Sequence, residues 1–396
     1  MGLAQPDLDL LRTRPLFGLL LNFCAGRMEA VTVEKVVSPD CVRWKDWKLK
    51  VKALKSGDDS AIKKLIPLGT GGGCAGVYHI EKPAGDGFGE KEEFSAKLAV
   101  NSDRTPGAVK SLYHEVKLTK SLNHENIRKV SSNVHGRHRG VATALFEYMK
   151  GHDLFYLTAQ CLFPVTTPQG SLTGISAYPG AHFVLVRVLR ALKYLHGLGI
   201  IYNDLKPENV MVGADSFLSI CETTPVKLID FGLAVHVGHP DALIARGTPD
   251  WMSPENFASE PKEAKTCASD VYVFGLVIYS VFTAQPLIEY KEFEHKVLEK
   301  TYSMHYNLLC ARRVAILNEL DNMLVYRGIK ETIIACLNHK ALFRPTVITL
   351  LEDTFFANAP PLRTRSQQRL LEKHSAPEAT PARTTSPKVS RTRDSA

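Results

Sequence analysis

The chain has 396 residues, of which 44% are hydrophobic and 23% are charged. This is the composition of an ordinary globular protein, and it excludes a chain that is disordered throughout. The formal net charge is +8, but residues 361–396 hold eight Lys and Arg against three Asp and Glu. The rest of the chain therefore carries only +3. That excess is too small for the clustered basic face of a nucleic-acid-binding protein, so no nucleic-acid partner is expected.

Residues 1–62 are interpreted as an N-terminal extension. An apolar run at 16–25 lies behind Arg12 and Arg14 and faintly resembles the core of a signal peptide, but acidic residues precede it. The run is also too short to cross a bilayer. We favour an N-terminal helix or docking segment over a targeting signal, and no transmembrane segment is expected.

This extension includes a basic stretch at 43–55. Apolar side chains alternate there with lysines, namely Trp44, Trp47, Leu49, Val51 and Leu54. The pattern predicts an amphipathic element with a solvated basic face, and a membrane or partner site is the alternative.

The eight cysteines are scattered singly, with no Cys-x-x-Cys pair that could seat zinc or form a redox disulfide. Reduced thiols are the simplest interpretation. They indicate an intracellular protein, in the cytoplasm or the nucleus.

Short β-type runs broken by glycines fill residues 66–100, as in a small antiparallel sheet. Two of the predicted strands flank a glycine-rich turn whose residues are Leu68, Gly69, Thr70, Gly71, Gly72, Gly73, Cys74, Ala75, Gly76 and Val77. Because glycine lets backbone amides approach an anion, this turn is a candidate site for nucleotide phosphates. It lacks the Gly-Lys-Ser/Thr ending of a P-loop, and a flexible hairpin is the alternative.

The rest of the chain is predicted to be mainly helical. A helix is expected over 113–122 and a strand over 145–149, and further helices are expected over 182–196, 270–282, 331–337 and 347–356. Beyond Pro360 the sequence is rich in Arg, Ser, Thr and Pro, and we expect this basic tail to be disordered.

The most specific pattern is the run Tyr202-Asn203-Asp204-Leu205-Lys206-Pro207-Glu208-Asn209. Asp230-Phe231-Gly232 follows Asp204 by 26 positions, and Ser253-Pro254-Glu255 begins 23 positions beyond Asp230. This order and spacing resemble the catalytic half of a eukaryotic-type serine/threonine protein kinase. The resemblance implies that Asp204 accepts the proton of the attacking hydroxyl and that Asn209 and Asp230 hold magnesium ions. Lys206 is the family's marker for serine/threonine rather than tyrosine specificity.

The resemblance extends in both directions from these motifs. It implies that Lys97 positions ATP with Glu115 as its ion-pair partner, and that the glycine-rich turn covers the phosphates. Phe146 would close a rear pocket, while backbone groups of Glu147 and Met149 would bond adenine; a plain buried strand is the alternative there.

Two further residues resemble the family's structural anchors. By this resemblance Asp270 would hold the catalytic loop, and Arg344 would bond Glu255 bidentately.

The resemblance implies an α+β, bilobal fold with a small β-rich N-lobe at 63–149 and a larger, mainly helical C-lobe at 150–358, followed by the tail at 359–396. The implied activity is ATP- and Mg²⁺-dependent phosphorylation of serine or threonine on protein substrates by a monomer. A catalytically weak pseudokinase-type scaffold is the alternative. A small-molecule kinase is disfavoured because it would not share Ser253-Pro254-Glu255, Asp270 and Arg344 together.

One departure from the family pattern bears on regulation. Asn203 stands where many members have the arginine that receives a phosphorylated activation loop. No Ser, Thr or Tyr lies between Gly232 and Thr248. Thr248 itself resembles the residue that bonds the catalytic aspartate and lysine. We therefore expect activity without phosphorylation of this segment, and phosphorylation elsewhere in the chain is the alternative means of control.

Overall fold

The computed structural model describes most of the chain between residues 42 and 362. The ranges are 42–55, 69–71, 74–82, 91–102, 107–136, 140–160, 165–167, 170–172, 178–244, 247–256, 264–283, 313–314 and 327–362. The apolar run at 16–25 and nearly all of the basic tail lie outside the described residues.

The small lobe is built on one sheet, whose described strands are β1 (Val42–Arg43), β2 (Gly69–Gly71), β3 (Cys74–Lys82), β4 (Glu92–Val100) and β5 (Val141–Glu147). β3, β4 and β5 are antiparallel neighbours, and β2 pairs antiparallel with β3. β1 pairs parallel with β3, Val42 opposite Ile80. The small antiparallel sheet expected over 66–100 is present.

One helix covers each face of this sheet. Successive residues of a strand point to opposite faces. Accordingly Val141 and Leu145 of β5 join a core with helix α1 (Trp44–Lys55), while Phe146 packs with helix α2 (Ala108–Lys120).

α1 has the amphipathic character expected of the basic stretch. Trp47 and Val51 are buried, and Lys45, Lys48 and Lys52 are exposed. The extension thus contributes a helix to the small-lobe core. α2 begins five residues before the predicted helix, so Glu115 lies in its interior and not near its start.

The large lobe is mainly helical. Its helices are α3 (Leu154–Gln160), α4 (Tyr178–Gly197), α5 (Cys267–Thr283), α6 (Arg327–Cys336), α7 (Val347–Glu352) and α8 (Thr354–Ala357). Its short strands are β6 (His152–Asp153), β7 (Val165–Thr167), β8 (Gly170–Leu172), β9 (Ile200–Ile201), β10 (Val210–Val212), β11 (Val226–Leu228) and β12 (Val235–His236). The helices α4 and α5 are central, and every residue of α5 from Ser269 to Val281 is buried. The expected α+β architecture with a β-rich and a helical lobe is confirmed.

The predicted last helix over 347–356 is in fact two short helices. Asp353 separates them and caps α8, because its Oδ1 accepts the Phe355 amide at 2.9 Å. An aspartate that bonds the backbone in this way ends one helix and starts the next. Periodicity alone does not report such a break.

Candidate active site

The glycine-rich turn is formed by β2 and β3. Gly69 lies opposite Val77 and Gly71 opposite Cys74, so the register shifts by one residue between the two pairs. Such a shift absorbs one extra residue in a hairpin. Leu68, Gly72 and Gly73 lie outside the described residues.

Gly76 is required by a close approach within β3. A Cβ at this position would lie 2.7 Å from the hydroxyl of Tyr78, whose ring folds back over it. Tyr78 in turn lies against Trp47 of α1, with ring centroids 5.3 Å apart. The turn is therefore supported by the N-terminal helix.

Lys97 lies in the middle of β4, between Val77 of β3 and Ala144 of β5. Its Nζ is 2.7 Å from Oε2 of Glu115 and 3.0 Å from Oδ1 of Asp230. The structure thus brings together a strand lysine, a helix glutamate and the aspartate of the Asp-Phe-Gly motif. The resemblance paired the first two, and the structure adds Asp230.

The two carboxylates of this cluster differ in protonation behaviour. Burial raises the pKa of Glu115, and the attraction of Lys97 opposes the rise without cancelling it. Burial also acts to raise the pKa of Asp230, but the charge and hydrogen bond of Lys97 and the Gly232 amide outweigh it, so this pKa is lowered. Asp230 is therefore held ionised in a side chain that remains 24% exposed.

Asp204 lies in the loop between β9 and the turn at Pro207–Asn209, with donors on both oxygens. The Asn209 amide nitrogen donates to Oδ2 at 2.8 Å, and the Lys206 ammonium lies 3.2 Å from the same oxygen. Thr248 donates to Oδ1 at 3.3 Å and accepts from Lys206 at 2.7 Å. Burial raises the pKa of Asp204, against the opposing charge of Lys206. A raised pKa suits a group that takes up a proton during reaction.

Asp270 at the start of α5 holds the backbone that precedes Asp204. It accepts the amides of Tyr202 at 2.8 Å and Asn203 at 2.9 Å, and His196 lies 2.9 Å from the same carboxylate. Asn203 has a φ of 72°, in the left-handed region that asparagine tolerates better than most residues.

The donor set at Asn209 and Asp230 fits a magnesium ion. Both side-chain hydrogen bonds of Asn209 within the described residues use its amide nitrogen, so its amide oxygen is not engaged there. Asp230 is bonded through Oδ1 by Lys97 and by the Gly232 amide. One amide oxygen and one carboxylate oxygen thus remain, and oxygen ligands of these types suit Mg²⁺ when phosphates and water complete the shell.

The segment that joins the lobes follows β5. Phe146 is 1% exposed and Met149 is 7% exposed, so both side chains line the interior. The Glu147 carboxylate is bonded by Lys227 at 2.7 and 2.8 Å, and the Glu147 amide donates to the carbonyl of Lys129. These bonds fix the course of the chain between the lobes.

Glu255 and Arg344 form a bidentate pair, with both nitrogen to oxygen distances at 2.8 Å. Ser269 donates to the same carboxylate at 2.6 Å. The pair ties the segment before α5 to the segment before α7, away from the Asp204 cluster.

Two residues near the site were missed from the sequence. Arg128 is buried, and its Nη2 lies 3.8 Å from Oε1 of Glu115. His114 of α2 bonds the carbonyl of Ala234, just beyond the Asp-Phe-Gly motif, at 2.7 Å. The sequence analysis gave no signal at either residue, because a single Arg or His on a short segment is usually a solvated surface group.

The protein kinase domain family model matches residues 67–356. The chain therefore belongs to the protein kinase family, of the eukaryotic type, as its fold and motifs indicate.

Among similar proteins, a probable cAMP-dependent protein kinase catalytic subunit of Encephalitozoon cuniculi is 32% identical over 187 residues, 46% of this chain and 51% of the relative. The Arabidopsis thaliana serine/threonine-protein kinases RUNKEL and TIO are 30% and 27% identical over 56% and 53% of this chain. The match spans about half of the first relative and only 15% of each of the other two.

Within the described ranges, none of the helices combines the length and the apolar character that crossing a membrane requires.

Proposed function

We propose that this protein transfers the terminal phosphoryl group of ATP to serine or threonine hydroxyls of protein substrates, with Mg²⁺ as cofactor. The observation that supports this most directly is the complete network of Asp204, Lys206 and Thr248. Asp204 also lies close enough to Asp230, in the cluster with Lys97 and Glu115, for the two charges to interact.

Each group has a chemical role in the proposed reaction. Asp204 accepts the proton of the substrate hydroxyl, since its carboxylate is buried and its pKa is raised. Lys206, 3.2 Å from that carboxylate, offsets negative charge that develops on the transferred group. Lys97 binds ATP phosphates and is held for that task by Glu115. Asn209 and Asp230 would hold Mg²⁺, which neutralises phosphate charge when bound.

The adenine end of the nucleotide is proposed to lie against the segment between the lobes. Backbone groups of Glu147 and Met149 would bond the base, and Phe146 would limit the depth of the pocket. The glycine-rich turn would cover the phosphates, because glycines leave backbone amides accessible to an anion.

A pseudokinase-type scaffold is the competing function. Such proteins keep the fold and lose a catalytic group, yet here Lys97, Asp204 and Asp230 lie within bonding distance of their expected partners. The geometry therefore favours an enzyme. We further propose that the protein acts as a monomer inside the cell.

Incubation of the purified protein with Mg²⁺, ATP and an oriented peptide library tests the proposal. We expect incorporation of phosphate into Ser or Thr peptides, and a strong loss of incorporation in Lys97→Met. No transfer by the wild type, together with retained nucleotide binding, would establish the scaffold instead. Transfer to tyrosine peptides alone would contradict the serine/threonine assignment.

A further inference from the structure

Arg128 is an arginine buried behind the nucleotide cleft, and nothing in the proposed reaction uses it. Its side chain is 9% exposed. A charge in such surroundings is costly unless it is paired. We therefore expect the contacts of Arg128 to compensate its charge.

The backbone around Arg128 is fixed on the strand that leads to Asp230. Its amide donates to the carbonyl of Leu228 at 3.0 Å, and Ile127 forms a parallel bridge with the same residue. The guanidinium carbon lies 4.2 Å from the centre of the Phe146 ring. Stacking on an aromatic face is favourable for arginine and restricts where its nitrogens point.

The guanidinium faces one oxygen of Glu115. Nη2 of Arg128 is 3.8 Å from Oε1, while Lys97 holds Oε2 at 2.7 Å. Oε1 is buried and has no hydrogen-bond partner within the described part of the chain. Arg128 is thus a second cation beside Glu115, on the oxygen that receives no hydrogen bond.

Two carboxylates lie near Lys97, so a second cation is needed to balance their charge. The charged groups that face it are Lys97 on β4, Asp230 after β11 and Arg128. Without Arg128, two carboxylates would share one lysine in a dry site, and one of them would tend to take up a proton. An arginine supplies a fixed positive charge, because it does not lose its proton in proteins.

We propose that Arg128 is a positioning residue of the nucleotide site, which keeps Glu115 ionised from the oxygen opposite Lys97 and thereby keeps Lys97 in place for ATP. This inference rests on the proposed kinase function for its effect on activity. Its effect on Glu115 is independent of that function.

The first test compares Arg128→Met with Arg128→Lys in kcat/KM for ATP between about pH 6 and about pH 8.5. Removing Arg128 takes away a charge that lowers the pKa of Glu115. Glu115 then protonates at a higher pH, so the loss should be greatest at the acid end and should shrink as pH rises. Arg128→Lys keeps the charge and should retain most of the activity.

Arg187→Met is the matched control. Arg187 also lies over a phenylalanine ring, 4.8 Å from that of Phe183, and pairs with a glutamate, 2.7 Å from Glu125, but on the surface of α4. Its pH profile should follow that of the wild type. A loss in Arg128→Met that is equal at all pH values, or an equal loss in Arg128→Lys, would overturn the proposal.

A second measurement does not need activity. Carboxyl-labelled glutamate, with the Glu115 resonance assigned through Glu115→Gln, allows the titration of Glu115 to be followed by NMR. Its midpoint should lie at a higher pH in Arg128→Met than in the wild type, because a charge that lowers the pKa of Glu115 is lost. Unchanged titration would overturn the role of Arg128. An inactive wild type with a shifted titration would overturn only the kinase function.

Arg128→Gln replaces Arg128→Met in both measurements if circular dichroism shows that the methionine variant does not fold, because glutamine removes the charge and keeps a polar side chain. The same outcomes then decide the proposal.

Discussion

Two groups of buried carboxylates in this protein differ in the number of donors they receive. Glu255 has both oxygens bonded by Arg344 and a third bond from Ser269. Asp270 accepts two backbone amides and lies within bonding distance of His196. Despite burial, the bonds and charge of Arg344 hold the pKa of Glu255 below its usual value. We call these two residues the saturated carboxylates.

Two other carboxylates, Glu115 and Asp250, each leave one oxygen without a donor in the described ranges. These oxygens, Oε1 of Glu115 and Oδ1 of Asp250, are buried. Burial, followed by repulsion from Glu208, raises the pKa of Asp250 to about 6. Burial also raises the pKa of Asp204 and Glu115.

The number of bonded oxygens distinguishes carboxylates that anchor the backbone from carboxylates that can bind a proton or a ligand. A carboxylate with all its positions filled is ionised, fixed and unavailable to a proton or a ligand. One with open positions is less stable but can accept a proton or a cation. Perturbed carboxylates of the second kind are typical of functional sites.

The largest effect is expected from removing the cation of a saturated carboxylate. Arg344→Met leaves Glu255 buried without its main partner, which should cost about 3–5 kcal/mol of stability. The melting temperature should fall by on the order of 10 °C. Thermal unfolding of Arg187→Met, which removes a pair whose glutamate is 64% exposed, is the control and should change little.

Removing the central carboxylate of the cleft should act on activity instead. Asp204→Ala is expected to lower phosphoryl transfer to peptides by roughly 100-fold or more, equivalent to about 2.7 kcal/mol, because the proton acceptor is lost. Folding should survive, as judged by calorimetry. Asp215→Ala, at a side chain that is 93% exposed, serves as the control. Activity of Asp204→Ala within tenfold of the parent would refute the assignment.

Asp250 offers a smaller, pH-dependent test. Its folded pKa of about 6 exceeds the ordinary value of 3.8, so its ionised form destabilises the folded state above pH 6 and this penalty disappears as pH falls toward 3.8. Asp250→Asn should therefore raise the melting temperature by a few degrees at pH 7.5 and progressively less at lower pH. Glu222 is exposed, so Glu222→Gln is the control, and its melting temperature should not depend on pH in this way. Equal shifts at all pH values would contradict the argument.

The smallest effect is expected from dephosphorylating residues 230–255, the activation segment. Its described part is tied down by contacts that need no phosphate: Asn203 donates to the carbonyl of Leu233 at 3.0 Å, His114 bonds that of Ala234, and Lys265 donates to that of Ile244 at 2.9 Å. Protein made in bacteria and treated with phosphatase should keep its turnover within a few-fold. A larger drop that is restored by phosphorylating this segment would show that control resides there.

The sequence predicted the elements whose signal is local. The apolar stripe of α4 follows from its 3.6-residue period, and the amphipathic α1 follows from the alternation of Trp and Lys. The predicted bounds of α2 were less accurate, because its first turn has no side-chain cap to announce it. Site residues in contiguous motifs, such as Asp204 and Asp230, were also accessible from sequence, since their spacing is part of the pattern.

By itself, then, the sequence determined the protein kinase family of this chain and the identity of most groups in the candidate site. Only the tertiary structure decided which groups meet: it placed Arg128 beside Glu115, His114 beside Ala234 and Trp47 over Tyr78. Periodicity and motif spacing report positions along one chain segment, whereas these contacts join segments that are distant in sequence. Their energies depend on burial and on the number of donors at each oxygen, which exist only after the chain has folded.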